Sequence, residues 1–185
     1  MAPSVFSNPA GRAEAAAHAY VTALLDLLGD RDPLAVLDEL LPALRDLLDG
    51  LDGTALRQPE APGTWSILQV LEHLADQETV NAVRFRSVVA EDEPALRGYD
   101  QDQWAARLRY GVADAATVLD ELAALRGRTL RLLRSLTPAE HGRVGHHSER
   151  GAESVAHLLR LAAGHDLVHR RQIARIRTAV GLPPG

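Results

Sequence analysis

Apolar residues recur along most of this chain every three or four positions, the spacing of one face of an α-helix. From Gly11 the series Ala16, Tyr20, Ala23, Leu24, Leu27 and Leu28 predicts a first helix, ended by Gly29-Asp30-Arg31-Asp32-Pro33. Asp32 suits the cap of a second helix with Pro33 at its first position. That helix carries Leu34, Leu37, Leu40, Leu41, Leu44, Leu47 and Leu48 on one stripe, with a kink expected at Pro42,. A Gly- and Pro-rich connector spans Gly50 to Gly63. A third helix opens at Thr64 or Ser66 and runs through Ile67, Val70, Leu71, Leu74, Val80, Val83 and Val88 to about Ala90,. Glu91-Asp92-Glu93-Pro94 stops it, and a loop lasts to about Asp100.

The pattern then predicts one long helix from Gln101 to Leu136, with weak points at Gly111 and Gly127. Thr137-Pro138-Ala139-Glu140 has the form of a capped helical turn, Gly142 to Gly151 of a loop, and Ala152 to Val180 of a final helix. No stretch alternates with period two, so strands are not expected, and there is no internal repeat. Residues 1–10 suit a loose leader, residues 11–181 one helical-bundle domain, and residues 182–185 a tail.

Composition narrows the function. The net charge of −5 supplies no basic excess to displace counterions from nucleic acid,. All 20 basic residues are arginine, which suits a GC-rich genome. The absence of cysteine removes disulfides, thiolate ligands and a cysteine nucleophile,. Asp or Arg interrupts every leucine-rich stretch, so neither a signal peptide nor a membrane span is expected, and a cytoplasmic location follows as the default.

The candidate chemistry lies in histidines. His165 and His169 are one helical turn apart, about 6 Å along the axis and within roughly 40° of the same direction. Their neighbours Leu158, Leu161, Ala162, Leu167, Val168 and Ile173 place the pair beside an apolar stripe. A buried imidazole needs a partner, which is either another protein group or a metal. His73, in the third helix beside Val70, Leu71 and Leu74, has the same character. Three imidazoles from two facing helices suit Zn, Ni, Cu or Fe and leave a coordination position open. Asp76 follows His73 by three residues, where it would either orient a ligand imidazole or stand exposed. Arg84, again on the His73 face, would either receive a substrate carboxylate bidentately or pair with Glu78 or another helix. His157 is about 12 Å along the axis from His165, too far to share an ion. His146 and His147 suit a surface or a pocket mouth, and Trp65 a core or pocket wall. Walker, Gly-x-Gly-x-x-Gly, Gly-x-Ser-x-Gly and His-Glu-x-x-His motifs are absent,.

Three segments carry a family resemblance. Pro62-Gly63-Thr64-Trp65-Ser66-Ile67 with Leu71-Glu72-His73-Leu74-Ala75-Asp76-Gln77-Glu78 resembles the first signature of the DinB/YfiT-like superfamily. Arg84-Phe85-Arg86 with Glu91-Asp92-Glu93-Pro94-Ala95-Leu96 resembles the stretch after it. His165-Asp166-Leu167-Val168-His169-Arg170-Arg171-Gln172-Ile173 resembles that superfamily's last helix. The resemblance implies an all-α, four-helix bundle, here with an additional N-terminal helix, often a homodimer. It also implies one divalent metal ion (Zn, Ni or Fe foremost) on His73, His165 and His169. The activities it implies are metal-dependent hydrolysis or S-transfer with a low-molecular-weight thiol of the bacillithiol or mycothiol type, on a small-molecule substrate. The competing expectation is a non-catalytic, stress-related binding module with a structural or incidental ion.

Overall fold

The computed structural model describes residues 14–181, and the leader and tail expected from the sequence lie outside them. Four long helices form the bundle: α2 (Pro33–Leu48), α4 (Ile67–Ala90), α6 (Ala115–Ser135) and α8 (Val155–Ala179). The additional helix α1 (Glu14–Leu28) lies along α8, which also packs on α2 and α4. Its approach is close: a Cβ on Gly164 would sit 2.5 Å from the Leu24 carbonyl oxygen.

The helix ends follow local chemistry. Asp32 caps α2, accepting from the Leu34 N–H at 3.1 Å, and the helix continues through Pro42. Of the two caps considered for α4, Ser66 is the one used. Its hydroxyl accepts from the Gln69 N–H, and the Gln69 side chain accepts from the Ser66 N–H, a reciprocal capping box,. The connector before it contains the short α3 (Gly53–Arg57), capped by Asp52.

Two expectations are corrected. The long helix over 101–136 is two helices, α5 (Gln101–Arg107) and α6. Gly111 breaks it, with φ +103 in the left-handed region, and Asp114 restarts it by accepting from the Thr117 N–H,. The other weak point, Gly127, stays helical.

The second correction is a small sheet in a chain expected to have no strands. Strand β1 (Ala95–Leu96) pairs in parallel with β2 (Val144–His147), which pairs antiparallel with β3 (Gly151–Ser154). The register sets Val144 opposite Ser154 and His147 opposite Gly151. The short helix α7 (Pro138–His141), capped by Thr137 as its sequence suggests, precedes this hairpin. The hairpin was invisible to periodicity because its eight strand residues include one β-branched residue, Val144,. Packing forms it instead: a Cβ on Gly145 would meet Val88 at 2.8 Å and Leu96 at 3.1 Å. Because β3 occupies Gly151–Ser154, the final helix begins at Val155, with Ser154 as its cap.

The core divides in two along the bundle. One apolar cluster joins Val36 and Leu37, Phe85 and Val88, Leu130 and Leu133, and Leu158, Leu159, Ala162, Ala163 and Leu167. The other joins Leu40 and Leu44, Val70, Leu71 and Leu74, Val118 and Leu122, and Ile173 and Ile176. Between them the same helices carry His73 to Arg84, Arg126 and His165 to His169, a polar layer across the middle of the bundle.

Candidate metal centre

Within that layer the three histidines converge. His73 on α4 and His165 and His169 on α8 are buried, and their ligand atoms lie within 4.8 Å of one another. The His165 Nε2 is 3.1 Å from the Nε2 of both His73 and His169. Nitrogens on a tetrahedral zinc-type ion at about 2.05 Å stand about 3.3 Å apart, so this spacing fits one ion shared by three imidazoles. Among the described residues no fourth His, Cys or carboxylate joins the cluster.

Protonation favours the same use. Burial, then the charge of neighbouring imidazoles, holds His73 and His165 well below the ordinary imidazole range. Burial pushes His169 down to about 4, against a hydrogen bond to Gln172. Three neutral imidazoles with lone pairs facing a common point are the donor set a divalent ion takes. The Nδ1 of His73 is buried without a partner, and the Trp65 ring lies against this imidazole at a centroid distance of 5.1 Å.

Beside the triad, Arg126 joins all four bundle helices. Its Nε donates to Glu78 on α4 at 2.8 Å, and its terminal nitrogens donate to Asp166 on α8 at 2.6 and 3.2 Å and to the Leu37 carbonyl of α2 at 2.9 Å. Burial opposes its charge, but the Asp166 and Glu78 carboxylates outweigh that and raise its pKa. Asp166 follows His165 directly, so the residue that braces the bundle and a residue of the triad are neighbours on one helix.

Two clefts reach the triad. His165 lines one of about 50 Å³ together with Asn81, Arg84, Tyr20 and His147. His169 lines the other, about 370 Å³, with Trp65, Gln101 and Gln172. Asp76 does not contact the histidines: its carboxylate accepts from the Tyr110 hydroxyl, because its place on α4 turns it toward the α5–α6 connection. Arg84 lines the first cleft, and Glu78 belongs to Arg126. One terminal nitrogen of Arg84 is engaged by both the Arg97 carbonyl at 2.6 Å and His147 at 3.2 Å. His146 is exposed, 3.4 Å from Glu93, whereas His147 is buried in the cleft.

Gln77, Asn81 and Gln172 were missed although their spacing could have found them. Gln77 and Asn81 follow His73 by one and two turns, and Gln172 follows His169 by three residues,. Tyr20, Tyr99 and Arg126 come from distant segments and left no such signal, whereas His147, one of the two histidines expected at a surface or pocket mouth, does line the cleft.

A family model described as the DinB superfamily matches residues 37–173. The chain is 32% identical over 116 residues to "Putative metal-dependent hydrolase YfiT" of Bacillus subtilis (strain 168), covering 63% of this chain and 65% of that protein, just under two thirds of its length. It is 30% identical over 140 residues to "Putative metal-dependent hydrolase BcerKBAB4_2443" of Bacillus mycoides (strain KBAB4), covering 76% of this chain and 78% of that protein. A solved structure of Bacillus subtilis YfiT, described as a "probable metal-dependent hydrolase with an unusual four-helix bundle topology", superposes with a TM-score of 0.76 at 28% identity. That match covers 82% of this chain and 87% of the other.

Proposed function

Because the chain belongs to the DinB superfamily, and its three buried histidines meet at one point, we propose that it is a metal-dependent hydrolase of a small-molecule substrate. The carrying observation is the triad itself, with the His165 Nε2 3.1 Å from those of His73 and His169 and no fourth His, Cys or carboxylate among the described residues. A closed four-ligand site serves structure, whereas three protein ligands leave a position for a reactant. His73, His165 and His169 would hold the ion, which when bound supplies Lewis acidity toward water or a thiol.

The chain's own residues then divide the remaining work. Gln172 fixes the His169 tautomer through a 2.8 Å contact to Nδ1,. Trp65 packs against His73 and forms one wall of the cleft that reaches His169. Arg126 and Asp166 fix the position of α8, and with it both of its histidines.

The second cleft favours one further reading. With separate clefts at His165 and His169, two reactants have room to approach from different sides. That arrangement suits transfer to a low-molecular-weight thiol, which must come from outside because the chain has no cysteine.

Metal analysis of protein made without a histidine tag tests the reading. One divalent ion per chain is expected, removed by chelator and lost in His73→Ala. Hydrolysis that falls with chelation and returns with the ion supports the hydrolase, and turnover only with an added thiol supports transfer. Absence of a stoichiometric ion, with uptake and stability unchanged in His73→Ala, overturns both. An ion whose removal changes stability but no activity favours the non-catalytic module.

A further inference from the structure

Arg84 is the anomaly in the polar layer. It is 8% exposed, yet no carboxylate pairs with it among the described residues. The other two guanidiniums of this region are matched: Arg126 has Glu78 and Asp166, and Arg150 holds Glu153 through contacts of 2.6 and 2.9 Å. Arg84 has a backbone carbonyl and an imidazole, and its Nε is buried with no partner. A buried cation with no carboxylate bonded to it is costly, and arginine is the side chain best shaped to take one. Burial, then the charge of Arg150, already pushes Arg84 down to about 10.

The surroundings add two donors, from Asn81 and Tyr20, and one carboxylate at the rim, Glu149. The Tyr99 hydroxyl donates to the Gln77 oxygen, and the Gln77 amide donates to the Asn81 oxygen at 3.0 Å. This relay spends the acceptor of Asn81 and leaves its amide N–H₂ to serve the cleft. Burial pushes the Tyr20 phenol up to about 12, so it stays a neutral hydroxyl. Glu149 also lines the cleft, on the Gly98 side, where a Cβ on Gly98 would lie 3.0 Å from its carboxyl.

Position and size complete the case. Eleven residues turn an α-helix through three turns and about 20°, so Arg84 and His73 share a face of α4 roughly 16 Å apart along its axis. The cleft, about 50 Å³, has room for a carboxylate at about 10–15 Å³ per water-sized group, and it is lined by both Arg84 and the triad's His165. We propose that the cleft beside His165 is a subsite for the carboxylate of an organic acid, bound by Arg84 and Asn81. Resting on the metal-dependent reading of the triad, this assigns the substrate class: an acid whose carboxylate docks at Arg84 while its reactive group lies at the histidines.

Acetate is the probe, added to the full chain after chelator treatment so that binding does not presuppose the ion. Side-chain and backbone NMR should show the Arg84 Nε–H and the Gly98 and His147 amides shifting saturably with acetate and not with isosteric acetamide. Arg84→Gln should weaken acetate about tenfold, the loss of one charge-assisted hydrogen bond, while Arg134→Gln, on the exposed surface, changes nothing. Asn81→Ala, which leaves the guanidinium in place, should weaken it about fivefold, and the wild-type shifts stand as evidence if Arg84→Gln does not fold. Acetate shifts elsewhere, or acetate that binds only with the ion restored and equally well in Arg84→Gln, overturn the subsite and leave the metal reading intact. Inorganic phosphate saturating the same resonances more tightly than acetate overturns the carboxylate assignment. Acetate at Arg84 in a protein that takes up no ion upholds the subsite while the reading of the triad falls.

Discussion

The Nδ1 of His169 lies 2.8 Å from the side-chain oxygen of Gln172, less than one turn further along α8. That oxygen accepts the Nδ1–H and so leaves the Nε2 lone pair facing His165. Gln172→Leu removes the acceptor without removing a triad histidine. We expect a loss of about 10- to 100-fold in metal affinity, the usual effect of deleting a partner behind a metal ligand. Competition with a chromogenic chelator measures it, and Gln172→Glu, which keeps an acceptor, should retain affinity. Equal affinity in all three proteins would remove Gln172 from the site.

Arg126→Met should cost about 3–5 kcal/mol, because it leaves the Glu78 and Asp166 carboxylates buried without their cation,. Adding Glu78→Gln and Asp166→Asn should recover part of that loss by removing the stranded charges. Urea denaturation at neutral pH compares the proteins. A single variant as stable as the parent would mean that the guanidinium is not what neutralises those carboxylates.

Acid should weaken the fold through His147. Burial, then the Arg150 and Arg84 guanidiniums, pushes this imidazole down to about 3, whereas in an unfolded chain it titrates near 6.5. Between those values the unfolded chain holds a proton that the folded chain refuses. Stability present above about pH 6.5 is therefore lost as the pH falls toward 3. His147→Gln should flatten the decline in urea midpoint between pH 7 and 4.5, with the triad histidines contributing equally to both proteins. Parallel declines would refute the assignment to His147.

The long helices were legible from their apolar spacing: α2 buries one face and keeps a period of 3.6 from Leu34 to Leu48, while α8, buried all round from Leu161 to Leu167, reads as a long helix uninterrupted by proline up to Gly181. Caps were legible where Asp32 or Thr137 precedes a proline. The β2–β3 hairpin was not, since Gly145 and Gly151 are set by contact and turn geometry rather than by alternation. The site divides along the same line. His165 and His169 announce themselves by spacing on one helix and His73 by its place beside Val70, Leu71 and Leu74, while the family resemblance picks these three from the eight histidines. Arg126 reaches Glu78 and Asp166 across intervals of 48 and 40 residues, and Arg84 reaches His147 across 63. Only the folded bundle brings such groups together.

The polar layer also limits how the helices can slide. An apolar seam of leucines is tolerant of small shifts, since one methyl replaces another. A shift of α8 by one residue would turn its side chains by about 100° and advance them about 1.5 Å. His165 would leave His73 and His169 would leave its place in the triad, while in the same step Asp166 would leave Arg126. The groups that make the site thus act as the key that sets the axial register of the bundle, and a misregistered chain would lose its grip on the ion and its brace together.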